Sequence, residues 1–236
     1  RRSIIRITSA FFFTYDEVNG SGFWNNTIFP PKIQHIETLA KSEGARGVLK
    51  TLSQWVGKDG TALLKEQRTM TFIPGNDETD LDFDITLNAL VDSVIFDDTK
   101  EGMFAVRVAH WLREDQHGQY LSSEGDVGEK GVWAKRAKWV SLAGEGEAGA
   151  AGIVIMNHPE SVNYPTFWHA RGYGLFSANP LGQFVFESAR NVENPRPFRL
   201  TLKKDESAHF RFRMVIYDGK RSSEEIERRY QEYLSE

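Results

Sequence analysis

The sequence predicts an all-β protein, an antiparallel β-sandwich with one C-terminal helix. Two segments, residues 80–88 and 209–217, alternate between apolar and polar side chains, which places one face of each predicted strand in a core. The 236 residues include 16 Phe and 6 Trp, and aromatic side chains favour strands. Two antiparallel sheets packed face to face would bury these apolar faces most simply.

Further strands are predicted along most of the chain, because β-branched and aromatic residues recur between turn signals. They cover residues 3–15, 46–56, 61–73, 103–112 and 198–202. The Gly-containing turn at residues 57–60 joins the second of these strands to the third. About a dozen strands are expected, all in a single domain over residues 1–236.

One helix is predicted with a defined start. Ser222 and Glu225 form a capping-box pattern, and apolar residues at helical spacing follow over 222–235. A short helix over 35–41 is a weaker expectation. The segment GEGEAGAAG, residues 144–152, is predicted to be a surface loop because it is rich in Gly and flanked by strand-like sequence.

Composition narrows the classes of partner. The net charge is −4 without a basic tail or stripe, so nucleic acid is not expected. The absence of Cys removes disulfides, thiolate metal sites and a cysteine nucleophile. No apolar run approaches the ~20 residues that span a bilayer, so no membrane association is predicted.

The compartment and the oligomeric state stay open at this stage. Either the cytoplasm or the periplasm suits a chain without Cys. The sequence shows no signal peptide, yet it opens at Arg1 rather than Met, so a removed leader or a trimmed start is compatible with it.

The densest group of chemically useful residues lies in NHPESVNYPTFWHARGYGLFSANPLG, residues 157–182. Its polar and aromatic residues follow no period of 2 or 3.6, which predicts a long loop on a rigid scaffold. His169 is the predicted acid/base, His158 assists it, and Arg171 completes the predicted catalytic group, since Arg clamps a carboxylate or a pair of hydroxyls. The alternative for His158 is that it only caps a turn.

A second set is predicted to bind substrate. Trp faces pack well on the CH-rich faces of sugar rings, and Asn or Asp can bind hydroxyls. The set comprises Asp16, Asn19, Trp24, Arg107, Trp168, Tyr173 and Asn179. The competing interpretation is structural: Trp168 and Tyr173 would plug one end of the sandwich, and Asn19 would serve only its turn with Gly20.

Carboxylates are plentiful, but no catalytic pair stands out. Glycoside hydrolysis needs two of them ~5–10 Å apart, and the sequence gives no such distance. Glu66 and Arg68 lie two apart on one strand and are interpreted as a plain salt bridge. No nucleotide-binding, serine-hydrolase or zinc-protease motif is present. No cofactor is predicted, although a metal is not excluded.

Several strings together carry a family resemblance. They are FFFTYDEVNGSGFWNN (11–26), EQRTMTF (66–72), LDFDITLNAL (81–90), DTKEGMFAVRVA (98–109), VWAKRAKWVSLAG (132–144) and residues 157–182 quoted above. In this order the chain resembles the PmoA-like family of bacterial proteins, which carries the name "methane oxygenase PmoA". The resemblance covers nearly the whole chain.

The resemblance implies a supersandwich of the galactose-mutarotase-like kind and a saccharolytic setting. Two departures from the family pattern bear on activity. The His residues that precede the first strand in relatives are replaced over residues 7–10, and the family's Asp-His-Pro is Asn157-His158-Pro159 here. Relatives also have strands ahead of this point, so N-terminal strands are expected to be missing.

Three functions follow as hypotheses. The leading one is an enzyme acting on a sugar or glycoside by hydrolysis, elimination or epimerisation, with a small-molecule or oligosaccharide ligand. The second is a non-catalytic carbohydrate-binding module, which needs the aromatic residues but not the histidines. The third is the metal-dependent oxygenase that the family name suggests, although a membrane methane monooxygenase subunit needs transmembrane helices, which this sequence lacks.

Overall fold

The computed structural model describes residues 8–25 and 28–236, and this part of the chain forms fourteen strands and three α-helices. Residues 3–7 of the first predicted strand lie outside the described residues. The strands are β1 Thr8–Tyr15, β2 Lys32–Ser42, β3 Gly47–Val56, β4 Ala62–Pro74, β5 Glu78–Ala89, β6 Ser93–Ile95, β7 Gly102–Val108, β8 Gly118–Ser122, β9 Trp139–Gly146, β10 Gly149–Asn157, β11 Phe167–Ala170, β12 Leu175–Asn179, β13 Thr201–Lys203 and β14 Ser207–Asp218. The helices are α1 Gly128–Val132, α2 Gln183–Ala189 and α3 Ser223–Leu234.

Two antiparallel sheets dominate the architecture. The small sheet has four strands in the order β1-β7-β12-β11, and the large sheet has eight in the order β2-β3-β4-β5-β14-β10-β9-β8. The short strands β6 and β13 pair separately. The predicted antiparallel β-sandwich is thereby confirmed, because both periodic segments, now β5 and β14, lie next to each other in the large sheet.

The core lies between the two sheets and is rich in aromatic rings. Phe104 of β7 stacks on Phe212 of β14 with ring centroids 4.6 Å apart, and Phe13 of β1 meets Phe210 of β14 at 5.5 Å. All four rings are buried. Each fully buried Phe stabilises the fold by about 2 kcal/mol relative to an exposed one. These aromatic rings therefore help to hold the two sheets together.

Helix α3 covers the other face of the large sheet. Ile226 and Tyr230 of the helix pack with Val154 and Val215 of the sheet in a second apolar cluster. The capping box is present: Ser222 Oγ accepts a hydrogen bond from the Glu225 backbone N–H at 3.3 Å, and Glu225 Oε2 accepts one from the Ser222 N–H at 2.7 Å. The predicted C-terminal helix is confirmed.

Two local predictions are wrong, and a third is incomplete. Residues 35–41 belong to strand β2, because their backbone pairs with β3 and not with itself. The Gly-rich segment 144–152 is the hairpin of β9 and β10 rather than a loop. A Cβ atom on Gly152 would lie 2.3 Å from the Tyr217 hydroxyl, so small residues are needed there for close strand packing. Residues 157–182 are largely loop, as predicted, but the short strands β11 and β12 also lie within them.

The large sheet extends beyond the small one on one side. Strand β1 is the last strand of the small sheet, and its aromatic side chains lie over Phe83 of β5 and Trp55 of β3. Most of β2 is exposed. The free edge of β1 and the uncovered inner face of β2–β4 therefore enclose a groove.

Candidate functional site

The face of the small sheet that points away from the core carries several of the predicted site residues. Trp168 and Phe176 point into the core, so their strand neighbours His169 and Ser177 point outward. On β7 the same alternation directs Arg107 outward, between two buried valines. Short strands of the small sheet thus place His169 and Arg107 on one outer face.

His169 is nearly sealed from solvent, with 2% of its surface exposed. Its Nδ1 accepts a hydrogen bond from the indole N–H of Trp133 at 2.9 Å, so the proton of the neutral imidazole resides on Nε2. Burial lowers the pKa of His169 to about 4, and the nearby cations Arg171, Lys100 and Arg107 act in the same direction. This geometry suits a neutral hydrogen-bond donor better than the acid/base that the sequence predicts.

Arg171 and Tyr173 lie beside His169 in the turn between β11 and β12. The turn is closed by two backbone hydrogen bonds between residues 171 and 174–175, and Gly174 has φ +94° there. The Arg171 guanidinium lies 5.7 Å from the Tyr173 ring centroid and 5.6 Å from that of Trp133. Tyr173 is 47% exposed, so the turn presents an arginine and an aromatic ring to solvent.

Glu129 of α1 holds this turn from behind. Its Oε2 accepts a hydrogen bond from the Gly172 backbone N–H at 2.7 Å, and its Oε1 lies 3.0 Å from Arg171 Nε. The Arg171 contact is an ion pair without hydrogen-bond geometry, because that N–H has no hydrogen-bond acceptor among the described residues. Arg107 reaches the same turn from β7, with its guanidinium 5.2 Å from the Tyr173 centroid. Trp133 and Glu129 were missed as site residues at the sequence level.

We call Lys100, Arg107, His169, Arg171 and Tyr173 the basic patch. Arg107 also belongs to the groove at the free edge of β1, which we call the β1 groove and which has a volume of about 520 Å³. Its walls and floor are formed by residues 11–14, Trp24, Asn25, Ile33, His35, Thr51, Ser53, Glu66, Arg68 and Arg107. Two predicted ligand-binding residues, Trp24 and Arg107, are brought together in this groove.

Glu66 forms a charged centre in the floor of the β1 groove. It is 1% exposed, and its Oε2 accepts a hydrogen bond from Trp55 Nε1 at 2.8 Å. Arg68 donates from Nε to Glu66 Oε1 at 2.9 Å. The predicted salt bridge is therefore present, but it is largely buried in the floor of a groove rather than on a plain surface. The sequence carries a signal for this position. Glu66 and Arg68 alternate in step with Met70 and Phe72, so all four side chains lie on the same face of the strand.

Trp24 forms the aromatic wall of this groove together with Phe12. Their rings meet edge to face at 5.2 Å, and Trp24 is partly exposed. The loop that carries Trp24 is fixed by Phe23, whose backbone N–H donates to the Tyr15 carbonyl at 3.0 Å and whose ring is buried against Trp55. Trp24 is thus an aromatic surface held by a structured loop.

Asp16 and Asn19 do not line the β1 groove. The Asn19 side chain donates to the Ser93 carbonyl at 2.9 Å and accepts from the Ile95 N–H at 2.7 Å. It also adopts φ 49°, which a turn residue such as Asn tolerates. Asp16 packs against Gly22, where an added Cβ would lie 2.8 Å from its Oδ1. Both residues shape the loop, as the structural alternative proposed.

Trp168 and Asn179 are also structural. Trp168 is fully buried, and its indole N–H donates to the Ala137 carbonyl at 2.9 Å, so neither ring face is open to a sugar. Asn179 is fully buried as well. Its amide donates to the Thr99 carbonyl at 2.9 Å and accepts from the Leu181 N–H at 3.0 Å. The predicted platform and clamp do not form at these two positions.

His158 lies on the opposite side of the sandwich from His169. It follows β10 of the large sheet, and its ring packs edge to face on Tyr233 of α3 at 5.3 Å. Its Nδ1 accepts a hydrogen bond from the Glu160 N–H at 3.2 Å. Burial and the neighbouring Arg211 lower its pKa. Both sheets lie between the two histidines, so His158 does not contact His169 and cannot assist it as predicted.

The described residues show neither a cluster of metal ligands nor a membrane-spanning helix. No group of three or more His, Asp or Glu side chains gathers there as a set of metal ligands. None of the helices in residues 8–25 and 28–236 combines the length and apolar character needed to cross a membrane.

Comparisons with known proteins complete the description. A family model described as "Family of unknown function (DUF6807)" matches residues 9–231. No curated protein matches the chain. Among solved structures, it is similar to the crystal structure of a heparan sulfate lyase HepC mutant from Pedobacter heparinus, with 11% sequence identity and a TM-score of 0.38. That match covers 92% of this chain but 25% of the lyase chain.

Proposed function

Since this chain belongs to the DUF6807 family, to which no function is assigned, we propose its function from the geometry of the site: it binds a carbohydrate in the β1 groove. The observation that carries the proposal is the pairing, in one groove of about 520 Å³, of the partly exposed Trp24 ring with the charged groups of Arg68 and Arg107. Ligand sites typically combine apolar walls with a few fixed polar groups.

Each part of the β1 groove matches a property of sugars. The Trp24 and Phe12 rings offer apolar surface to the CH face of a pyranose. Arginines offer several N–H donors in a fixed plane, which suits adjacent hydroxyl oxygens. Thr51 and Ser53 add hydroxyls on the floor. The saccharolytic setting implied by the PmoA-like resemblance agrees with a sugar ligand.

A catalytic role is the second candidate, and Glu66 favours it. This carboxylate lies in the groove floor and accepts hydrogen bonds from Arg68 and the Trp55 indole. An ionised, buried carboxylate can serve as a general base. Among the described residues, the groove lining includes no second carboxylate, so elimination or epimerisation fits better than two-carboxylate hydrolysis.

The binding proposal is tested by titrating a panel of soluble oligosaccharides against the protein and two variants. Trp24→Ala removes the aromatic wall and should weaken binding about tenfold or more, which corresponds to ~1.4 kcal/mol. The matched control is Phe184→Ala, which removes an exposed aromatic ring outside the groove and should bind as the wild type does. Failure of the wild type to bind any member, or an unchanged affinity in Trp24→Ala, would overturn the proposal.

Catalysis is separated from binding by Glu66→Gln. Gln keeps the size of the side chain and an oxygen for the Trp55 indole, but it has no basic carboxylate. If the protein is an enzyme, this variant should still bind the sugar while product formation falls at least about a hundredfold. Binding by both proteins without product from either identifies a non-catalytic carbohydrate-binding protein.

A further inference from the structure

The floor of the β1 groove holds three polar groups that the fold itself does not use. Among the described residues, Thr51 Oγ1, Ser53 Oγ and Arg68 Nη1 find no hydrogen-bond partner. None of the three is a buried atom, so solvent reaches each of them within the groove. Accessible polar groups of this kind, fixed on rigid strands, are the groups that orient a ligand in its site.

Strand pairing places these groups side by side. Thr51 of β3 lies directly opposite Arg68 of β4, and Ser53 lies opposite Glu66 one step further along the same face. Opposite residues of an antiparallel pair have Cβ atoms about 5 Å apart, and residues two apart along a strand lie about 7 Å apart. A hydroxyl that both donates and accepts therefore adjoins a guanidinium edge that only donates. This set of groups matches two adjacent hydroxyls of a sugar ring.

The charges of the groove floor are balanced. Arg68 Nη2 lies 2.7 Å from Glu66 Oε1, and the two side chains are only 16% and 2% exposed. Arg107 also lines the groove, but its guanidinium lies on the outer face of the small sheet, 5.2 Å from the Tyr173 ring centroid. An anionic group bound at Arg68 would lose its hydration beside a buried carboxylate. The floor therefore favours a polar ligand without charge.

The Arg68 side chain is held in place from two sides. Glu66 accepts its Nε hydrogen bond at 2.9 Å, and the other Glu66 oxygen accepts from the Trp55 indole at 2.8 Å. The Arg68 guanidinium also lies 5.6 Å from the centroid of the buried Phe13 ring. Because its position is set by the fold, a ligand needs to order few side chains when it binds.

We propose that the ligand of the β1 groove is an uncharged sugar, selected by hydrogen bonds from Arg68 and Thr51 to two adjacent ring hydroxyls. This inference rests on the proposed function and names the class of sugar. Arg68 Nη1 donates to one hydroxyl oxygen, and the Thr51 hydroxyl donates to or accepts from its neighbour. Ser53 extends the polar strip, and Trp24 of the same groove packs on the apolar face of the ring.

Charge selectivity is measured with matched ligands. Neutral oligosaccharides of glucose, galactose and mannose, and oligouronates of the same lengths, are titrated against the full chain by calorimetry or ligand-observed NMR. We expect at least one neutral oligosaccharide to bind, about threefold or more tightly than its uronate. Its affinity should change less than about twofold between low and high salt, because no net charge is neutralised on binding.

Thr51→Val tests the contact with the sugar hydroxyl, because Val keeps the shape of Thr without its hydroxyl. It should weaken binding of the neutral sugar about threefold to tenfold, as expected for one hydrogen bond. The matched control is Thr69→Val, which lies next to Arg68 on β4 but points to the opposite face, outside the groove. It should bind as the wild type does. One deoxy analogue of the sugar should bind equally to wild type and Thr51→Val.

Arg68→Lys tests the donor edge without removing the charge beside Glu66. Lys can still form the ion pair, but its single ammonium does not offer the planar edge of a guanidinium. The affinity for the neutral sugar should fall about tenfold, while circular dichroism should show an unchanged fold.

The outcomes separate this inference from the proposed function. A smaller or reversed difference between the neutral sugar and its uronate overturns the inference and leaves carbohydrate binding intact. An unchanged affinity in either Thr51→Val or Arg68→Lys also overturns it, because the groove floor would then not select the ligand. Absence of binding by every neutral and acidic oligosaccharide rejects the proposed function itself.

Discussion

Two regions of this molecule combine histidine, arginine and aromatic side chains, yet they differ in their counter-charges. On the outer face of the large sheet, Arg213 makes two hydrogen bonds to Asp82 at 2.6 and 2.8 Å and two to Glu236 at 2.8 and 3.3 Å. On the outer face of the small sheet, Arg171 lies 3.0 Å from one carboxylate, Glu129, without hydrogen-bond geometry. The first face is closed, because its arginine is paired and buried, whereas the second presents Arg171 and Tyr173 to solvent.

This difference distinguishes polar clusters that stabilise the fold from polar clusters that are open to a ligand. Arg213 is 1% exposed and lies under α3 with its guanidinium 4.6 Å from the Tyr233 centroid. A buried cation with several carboxylate partners fixes the position of a helix and leaves no donor for a ligand. His158 belongs to this closed face, whereas His169 lies on the outer face of the small sheet beside Trp133. Residue type alone does not separate them.

The largest expected effect is the loss of stability caused by Arg213→Met, which removes the buried cation of the closed face. The substitution leaves Asp82 and Glu236 without their buried partner, so we expect the free energy of unfolding to fall by about 4 kcal/mol. Urea denaturation followed by circular dichroism measures this change. The matched control is Arg228→Met on the exposed surface of α3, for which a change within about 0.5 kcal/mol is expected.

A loss below about 1 kcal/mol for Arg213→Met would contradict the structural role given to this network. Sugar binding gives the second half of the test. Under conditions where the Arg213→Met protein is still folded, its affinity for the ligand should equal that of the wild type, because the β1 groove and the basic patch lie on the other side of the core.

A smaller effect is expected from the titration of His169. Its pKa in the folded protein is about 4, whereas that of an unfolded His is 6.5. Between these values the unfolded chain binds more protons than the folded one, so stability is full above pH 6.5 and decreases as the pH falls toward 4. This residue alone lowers the free energy of unfolding by up to about 3 kcal/mol over that window.

His169→Asn isolates the contribution of His169. The Asn oxygen can still accept the hydrogen bond from Trp133, but the side chain does not titrate. The free energy of unfolding should therefore fall more for the wild type than for the variant as the pH is lowered from 7 to 4. A constant difference across this range would show that His169 is protonated as easily in the folded protein as in the unfolded chain.

The sequence predicts the scaffold of this protein better than its site. The alternation at Leu81, Phe83 and Ile85 and the capping box at Ser222 have direct local causes, and both elements appear where they are predicted. The separation of His158 from His169 has no local cause. It arises because the chain crosses from β10 in the large sheet to β11 in the small sheet between them.

Short strands explain most of the remaining errors at the site. Strand β11 has four residues, so its alternation is too short to show that Trp168 points inward and His169 outward. The role of Glu129 depends on a contact between α1 and the β11–β12 turn, which no spacing in the sequence reveals. In contrast, Glu66 and Arg68 left a readable signal, because charged residues in the apolar phase of a strand need a partner or a ligand.

The smallest expected effect tests whether the two faces are independent. Ser222→Ala removes the side chain that accepts the Glu225 N–H at the start of α3, and losing such a cap costs about 1 kcal/mol. The matched control Ser223→Ala changes the next, also exposed, serine and should cost less than about 0.5 kcal/mol. Hydrogen exchange should show faster exchange for the amides of the first turns of α3 and unchanged exchange for β11 and β12. Faster exchange in β11 would mean that the closed face and the basic patch are coupled through the core, and the contrast drawn between them would then fail.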